Sequence, residues 1–187
     1  MAALTGLFSA FGLAASAGLN AYIPLLVIAL LARFTPWLTL SPPWNTLTHP
    51  AVIVALVVLA ALEFFADKAP AVNHLNDLLQ TFVRPVAGAI AFAAGSGAIG
   101  HVHPALALIA GLLVAGSIHT AKSAALRPAV TAATGGLGNI PVSMAEDAVA
   151  TTVSLVAVLV PLALLLLAAL GLGWAVRRAR RARNLTS

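Results

Sequence analysis

Long apolar stretches run through this chain, interrupted by few charges. No Lys, Arg, Asp or Glu precedes Arg33, and none lies between Arg33 and Glu63, between Arg84 and Lys122, or between Asp147 and Arg177. A helix needs about 20 mostly apolar residues to cross a bilayer, so these runs predict membrane helices. The expected spans are Leu19–Ala32, Pro50–Ala66, Pro85–Gly100, Pro104–Thr120 and Ala148–Val176, the last long enough to cross with tilt. Ahead of Leu19 the stretch LTGLFSAFGLAASAG is also apolar, which predicts either one long broken helix or two short ones. The small, neutral stretch PAVTAATGGLGNIPVSM from Pro128 should break at Gly135, Gly136 and Gly138, and either re-enter the bilayer or cross it in pieces. The fold class is all-α, a polytopic transmembrane helical bundle of about five to seven membrane segments, some broken.

Composition agrees. Hydrophobic residues make up 61% of the chain and charged residues 8%, against roughly 25% charged in a soluble domain. So few charges cannot cover a soluble surface, and a mean hydropathy of +1.02 excludes disorder. The expected organisation is one integral membrane domain over residues 1–176 and a basic tail over 177–187. The N-terminus lacks a basic n-region, so its first helix is expected to be retained rather than cleaved. With no cysteine there is no disulfide, thiolate metal site or thiol nucleophile.

The net charge of +5 comes from the tail residues Arg177, Arg178, Arg180, Arg181 and Arg183. Arginines directly after a span place the C-terminus in the cytoplasm. They either bind anionic lipid headgroups or serve only as an orientation signal. The patch is short and lacks interleaved aromatics, so no nucleic-acid partner is expected. The charge-free loop TPWLTLSPPWNTLTH from Thr35 suits the opposite, outer face.

Two segments begin alike, HPAVIVALVVLAALEFFADKAPAV from His49 and HPALALIAGLLVAGSIHTAKSAAL from His103. Lys68 falls on Lys122, and further along Pro85 falls on Pro141. This predicts two similar helix–polar link–helix units at residues 49–102 and 103–165. The arrangement carries a conflict. If both links are plain loops, the tail emerges opposite Lys68, Arg84, Lys122 and Arg127, whereas the positive-inside rule prefers all of them on one side.

Each charge in an apolar chain needs a reason to be there, since a Lys or Asp at the bilayer centre costs about 2.5–3.5 kcal/mol on insertion scales. Glu63 and Asp67 share a helix face and suit a proton, Na⁺ or a divalent ion; alternatively they are interfacial, with Lys68 as counter-ion. In the link APAVNHLNDLLQTFVRP, apolar Val72, Leu75, Leu79 and Phe82 predict an amphipathic helix at the interface or in a vestibule. There His74 and Asp77 form either a proton-relay pair or a solvated face. Arg84 binds a lipid phosphate or orients the helix expected to start at Pro85. His119, Lys122, Ser123 and Arg127 beside helix breaks suit an anion, or else anchor the chain by charge. SMAE at 143–146 fits a capping box with Ser143 as N-cap and Glu146 at N3, which leaves Asp147 without a role. The acids Glu63, Asp67, Glu146 and Asp147 would balance Lys68, Arg84, Lys122 and Arg127 as one buried network. His101 and His103 have no third ligand near in sequence, so neither a metal nor another cofactor is expected. No GxSxG, HExxH, Walker or GxGxxG motif appears, which argues against an enzyme.

The pieces GLNAYIPLL from Gly18, FFADKAP from Phe64, QTFVRPVAGA from Gln80, HTAKSAALRP from His119 and SMAED from Ser143 resemble a family of small bacterial membrane proteins, catalogued as domain of unknown function 4126. The resemblance implies a polytopic inner-membrane protein and carries no activity. An NTSPEP-like stretch common in the family is replaced here by TAATGGLGN. From the charge placement, the leading expectation is a small transporter or channel-like protein with a polar intramembrane cavity. Beside it stand a structural or lipid-binding membrane partner and a lipid-modifying enzyme using His74 or His119 as general base. A homodimer is compatible with small faces such as Gly95–Ser96–Gly97.

Overall fold

The computed structural model describes residues 2–68, 70–96 and 102–184. Its elements are α1 (Ala2–Leu19), α2 (Tyr22–Phe34), a 3₁₀ turn (Trp44–Thr48), α3 (Pro50–Lys68), α4 (Pro70–Ser96), α5 (Pro104–Ala121), a π turn (Lys122–Leu126), α6 (Arg127–Thr134) and α7 (Asn139–Asn184). Four stretches are long and apolar enough to cross a membrane: Pro50–Lys68, Asn76–Ser96, Pro104–Thr134 and Asn139–Pro161. Two shorter apolar helices, Gly6–Leu19 and Tyr22–Phe34, accompany them. This is an all-α, multi-pass membrane protein.

The helices are inside-out relative to a soluble fold. On α3 the buried positions are Leu56, Glu63 and Asp67, while Val54, Leu62 and Phe65 are 60–68% exposed. A face that puts leucines outward and carboxylates inward makes sense only where the surroundings are hydrocarbon. The start of α4 does the same, burying Asn76, Gln80 and Arg84 and exposing Leu79, Phe82 and Val86.

The shared His-Pro starts have a local cause. His49 Nδ1 accepts from the Ala51 N–H at 3.3 Å and His103 Nδ1 accepts from the Ala105 N–H at 3.2 Å. Each histidine caps its helix and each proline fills the first turn, where its missing N–H costs nothing.

Contacts fix how α1, α2, α3 and α7 run against one another. Asn20 meets Asp147, Ser16 meets Ser154 and a Cβ at Gly12 would lie 2.7 Å from Ala157 Cβ, so α1 runs antiparallel to α7. Ala21 meets Glu63 and Arg33 meets Thr48, so α2 turns back antiparallel to α3. The ends of α1, α3 and α6 and the starts of α2, α4 and α7 therefore gather toward one end of the bundle. The Thr35–His49 loop lies at the other, toward which α7 climbs to its arginines. This corrects the placement of that loop on the face opposite the tail: the two share an end. The tail does lie away from Lys68, Arg84, Lys122 and Arg127.

The N-terminal stretch forms two helices broken at Asn20, one of the two forms its sequence allows. Other sequence expectations are corrected. Pro85 does not start a helix; it sits inside α4, which unites the amphipathic link and the following span. Its ring packs against Gly116 of α5, where a Cβ would lie 3.6 Å from Pro85 Cγ, an ordinary contact. The SMAE capping box is not formed, because α7 begins at Asn139, with Pro141 tolerated in its first turn. Pro128–Met144 breaks at the glycines, as expected: α6 closes on Gly135 and Gly136, with φ of 62° and 92°, and the chain reverses into α7, its first part belonging to the apolar stretch Pro104–Thr134 and its last to Asn139–Pro161.

Small residues carry the packing, as expected where lipid removes the hydrophobic drive between helices. A Cβ at Gly88 of α4 would collide with Ala115 Cβ and lie 2.8 Å from the Gly111 carbonyl oxygen of α5, and one at Gly111 would collide with the Gly88 carbonyl. Gly95 packs against Ala10 and Leu13 of α1, so this face, expected to be available to a dimer, is used within the chain; Gly97 lies outside the described residues. Gly88→Val is expected to cost about 1–3 kcal/mol or more from overpacking, read as a lower unfolding temperature in detergent. Gly171→Val, with open space around it, should leave that temperature unchanged.

Candidate functional site

The break between α1 and α2 leaves polar backbone inside the bundle, and side chains answer it. The Asn20 side-chain oxygen accepts from Tyr22 N at 3.1 Å and Ile23 N at 3.0 Å, while its Nδ2 donates to Asp147 Oδ1 at 3.0 Å. The Ala21 N–H donates to Glu63 Oε2 at 3.1 Å, and Lys122 Nζ donates to the Leu19 carbonyl at 3.2 Å. The start of α2 thus faces a carboxylate and the end of α1 faces an ammonium, as their dipoles favour.

Around this break the charges join. Arg84, 0% exposed, reaches Glu63 Oε1 through NH2 at 2.8 Å and Nε at 3.2 Å. Asp67 Oδ2 receives Arg127 at 3.2 Å and Arg84 and Lys122 at 3.5 Å each, and its Oδ1 accepts from Asn76 at 2.6 Å. Glu146 Oε2 receives Arg127 at 2.7 Å and Lys122 at 2.8 Å. Lys68 pairs with Asp147 at 2.9 Å, and Asn20 and Ala21 link that pair to Glu63. Four acids and four bases compensate one another in charge, which meets the requirement that a buried charge be paired; Glu146 Oε1 is buried without a hydrogen-bond partner.

The π turn is what lets one helix supply two cations. In an α-helix, residues five apart point about 140° away from each other. The wider i→i+5 winding of Lys122–Leu126 brings them toward a common face. Lys122 and Arg127, both buried, consequently reach the same two acids.

His119 lies 1% exposed beneath this cluster. Arg84 NH1 is 3.2 Å from its Nδ1, and Thr81 Oγ1 is 3.1 Å from its Nε2. Arginine only donates, so Nδ1 accepts and the imidazole proton sits on Nε2, facing Thr81. Both ring nitrogens are engaged, which leaves no free lone pair for a general base.

On the side away from the α1–α2 break, a cavity of about 670 Å³ borders the network. Asp67, Lys68, Asp77 and Arg127 line it together with Thr131 and Asn139 from the chain reversal. Asp77 is half-buried and stays outside the eight-charge network. The side chains of His74, Arg178, Arg180, Arg181 and Arg183 and all of His101 lie outside the described residues, while Arg177 is exposed. Among the described residues no group of three His, Cys, Asp or Glu is placed to hold a metal.

Sequence reasoning missed Asn20, Asn76, Gln80 and the buried Ser16–Ser154 pair, whose hydroxyls are 2.7 Å apart. The available signal was polarity inside an apolar run, GLNAYIP above all, since a buried amide needs partners. Asn20→Ala is expected to cost about 1–3 kcal/mol, because Asp147 and two helix-start N–H groups lose a partner. Thermal unfolding beside Asn45→Ala, at an exposed turn, checks this.

Residues 7–181 match the family described as a domain of unknown function, DUF4126. The chain belongs to this family. No curated protein and no solved structure matches it. The DUF4126 match takes in the helix break, all eight network charges and the cavity-lining reversal.

Proposed function

We propose that this DUF4126 protein is a small transporter or channel-like protein of the bacterial inner membrane, with the cavity as its solute site. The observation that carries this reading is a coincidence of features: a broken helix pair and a π turn meet at one buried charge network, and that network borders an open cavity lined by both charged and apolar residues. π turns recur at functional sites, and the helix that leaves this one begins at Arg127, a residue of the cavity wall. Asp67, Lys68 and Arg127 belong to both the network and the cavity wall, so they couple an occupant to the helices that must move.

In this proposal α3, α4, α5–α6 and α7 cross fully, and α1–α2 is a re-entrant hairpin with its tip at the network. Arg33 and the tail arginines lie at one end of the bundle. The other four basic residues are neutralised in the interior and do not count as loop charge. The positive-inside rule then puts both termini in the cytoplasm, with the cavity opening to the outer face. The paired symmetry of His49–Lys68 and His103–Lys122 supports a duplicated origin for the two units.

One observation favours a structural or lipid-binding role instead: each of the eight network charges is already paired with an opposite charge. Flux separates the two. The purified chain in liposomes is offered a mixture of small polar solutes, and the trapped contents are compared with those of Asp67→Asn and empty liposomes. The expected result is a class of solute that enters only with the native chain. Equal contents in all three would overturn the transport reading.

A further inference from the structure

We propose that the cavity takes a small organic cation, an amine with a short apolar body, and that Asp77 is its counter-ion. This deepens the transport reading and rests on it only for the step of translocation, not for binding. Of the five acids in the chain, Glu63, Asp67, Glu146 and Asp147 are each held by Lys or Arg within 3.5 Å. Asp77 is the fifth. It lines the cavity, makes none of these ion pairs among the described residues, and its Oδ1 is buried without a hydrogen-bond partner.

A second cavity residue repeats the pattern. Asn139 spends its Nδ2 on Thr131 Oγ1 at 2.7 Å, which turns its oxygen the other way; that Oδ1 is likewise buried without a donor. The cavity therefore presents two acceptors in want of donors. The network and Asp77 together hold five acids and four bases, one negative in excess, and the cations on the cavity wall, Lys68 and Arg127, are already paired with Asp147, Asp67 and Glu146. A ligand that meets both demands carries N–H donors and positive charge. An anion would find its cations already paired and would meet Asp77.

Size and lining narrow the class further. About 670 Å³ is within the range of sites for small organic molecules, roughly 300–1,000 Å³, and far above the ~30 Å³ share of one water. Ala132, Leu137 and Ile140 line the same space and offer apolar surface to a carbon skeleton.

The test uses four probes of one size on the full chain in lipid nanodiscs: butylamine, 1,4-diaminobutane, butanol and butanoate. Binding is read by isothermal titration and by the shift in unfolding temperature, at constant ionic strength. The amines are expected to bind and stabilise, and butanol and butanoate are not. Asp77→Asn is expected to weaken amine binding by about tenfold or more, the loss of a charge-assisted hydrogen bond, and Asp77→Glu to restore part of it. Equal binding of butanoate, no amine binding, or amine binding unchanged in Asp77→Asn would each overturn the proposal. Amine binding without amine flux would leave it standing and sink the transport reading. Flux of a neutral or anionic solute, indifferent to Asp77→Asn, would do the reverse.

Discussion

Arg84→Ala is expected to destabilise the protein by about 3–5 kcal/mol, the cost of stranding a buried charge. Glu63 would keep only the Ala21 N–H, and His119 would lose the donor to its Nδ1. The loss is electrostatic more than steric, so Glu63→Gln in the same background should return a good part of it by removing the stranded charge. Unfolding of the two single variants and the double variant in one detergent gives the coupling between them. A double variant no more stable than Arg84→Ala alone would mean that the pair is not what holds α3 to α4.

Asp67→Asn is the second large effect, and it tests neutrality of the whole cluster. The substitution keeps the shape, yet it removes the carboxylate that Arg84, Lys122 and Arg127 share. Three cations would then face Glu63 and Glu146 alone. The expected loss is again about 3–5 kcal/mol. Lys122→Met removes one cation and nearly preserves the stem, so adding it to Asp67→Asn should recover stability. Because these residues share one network, their effects should not add. Simple additivity would show that the charges act as separate pairs.

The class of the fold was plain in the sequence because charge-free runs near membrane length rarely occur outside membrane proteins. The balance of four acids against four bases could also be counted there, since so few charges exist. What could not be read was depth and direction. Lys68 and Lys122 look alike at the ends of similar helices, yet a π turn pulls Lys122 and Arg127 inward together, and no composition rule announces that turn. Pro85 looked like a helix start because proline is common there; nothing local in the sequence says that α4 runs on through it. Ser143 and Glu146 matched a capping box by spacing alone, but Asn139 and Pro141 open the helix earlier. The placement of the Thr35–His49 loop failed for a related reason. Its lack of charge says nothing about side once the interior cations are seen to neutralise one another.

The proposed arrangement, a self-compensated network beneath an outward-facing cavity, can be tested through the absence of cysteine from the chain. Ser123→Cys and Thr131→Cys place a thiol on the cavity wall, Ser16→Cys and Ser143→Cys place one beside the buried network, and Thr39→Cys marks the end of the bundle that the tail shares. Each is treated with a membrane-impermeant maleimide in intact cells and in inverted vesicles. The expected result is labelling of Ser123→Cys and Thr131→Cys from outside only, of Thr39→Cys in inverted vesicles only, and of neither Ser16→Cys nor Ser143→Cys. Labelling of the cavity positions and Thr39→Cys from the same side, or ready labelling of the buried pair, would contradict that arrangement.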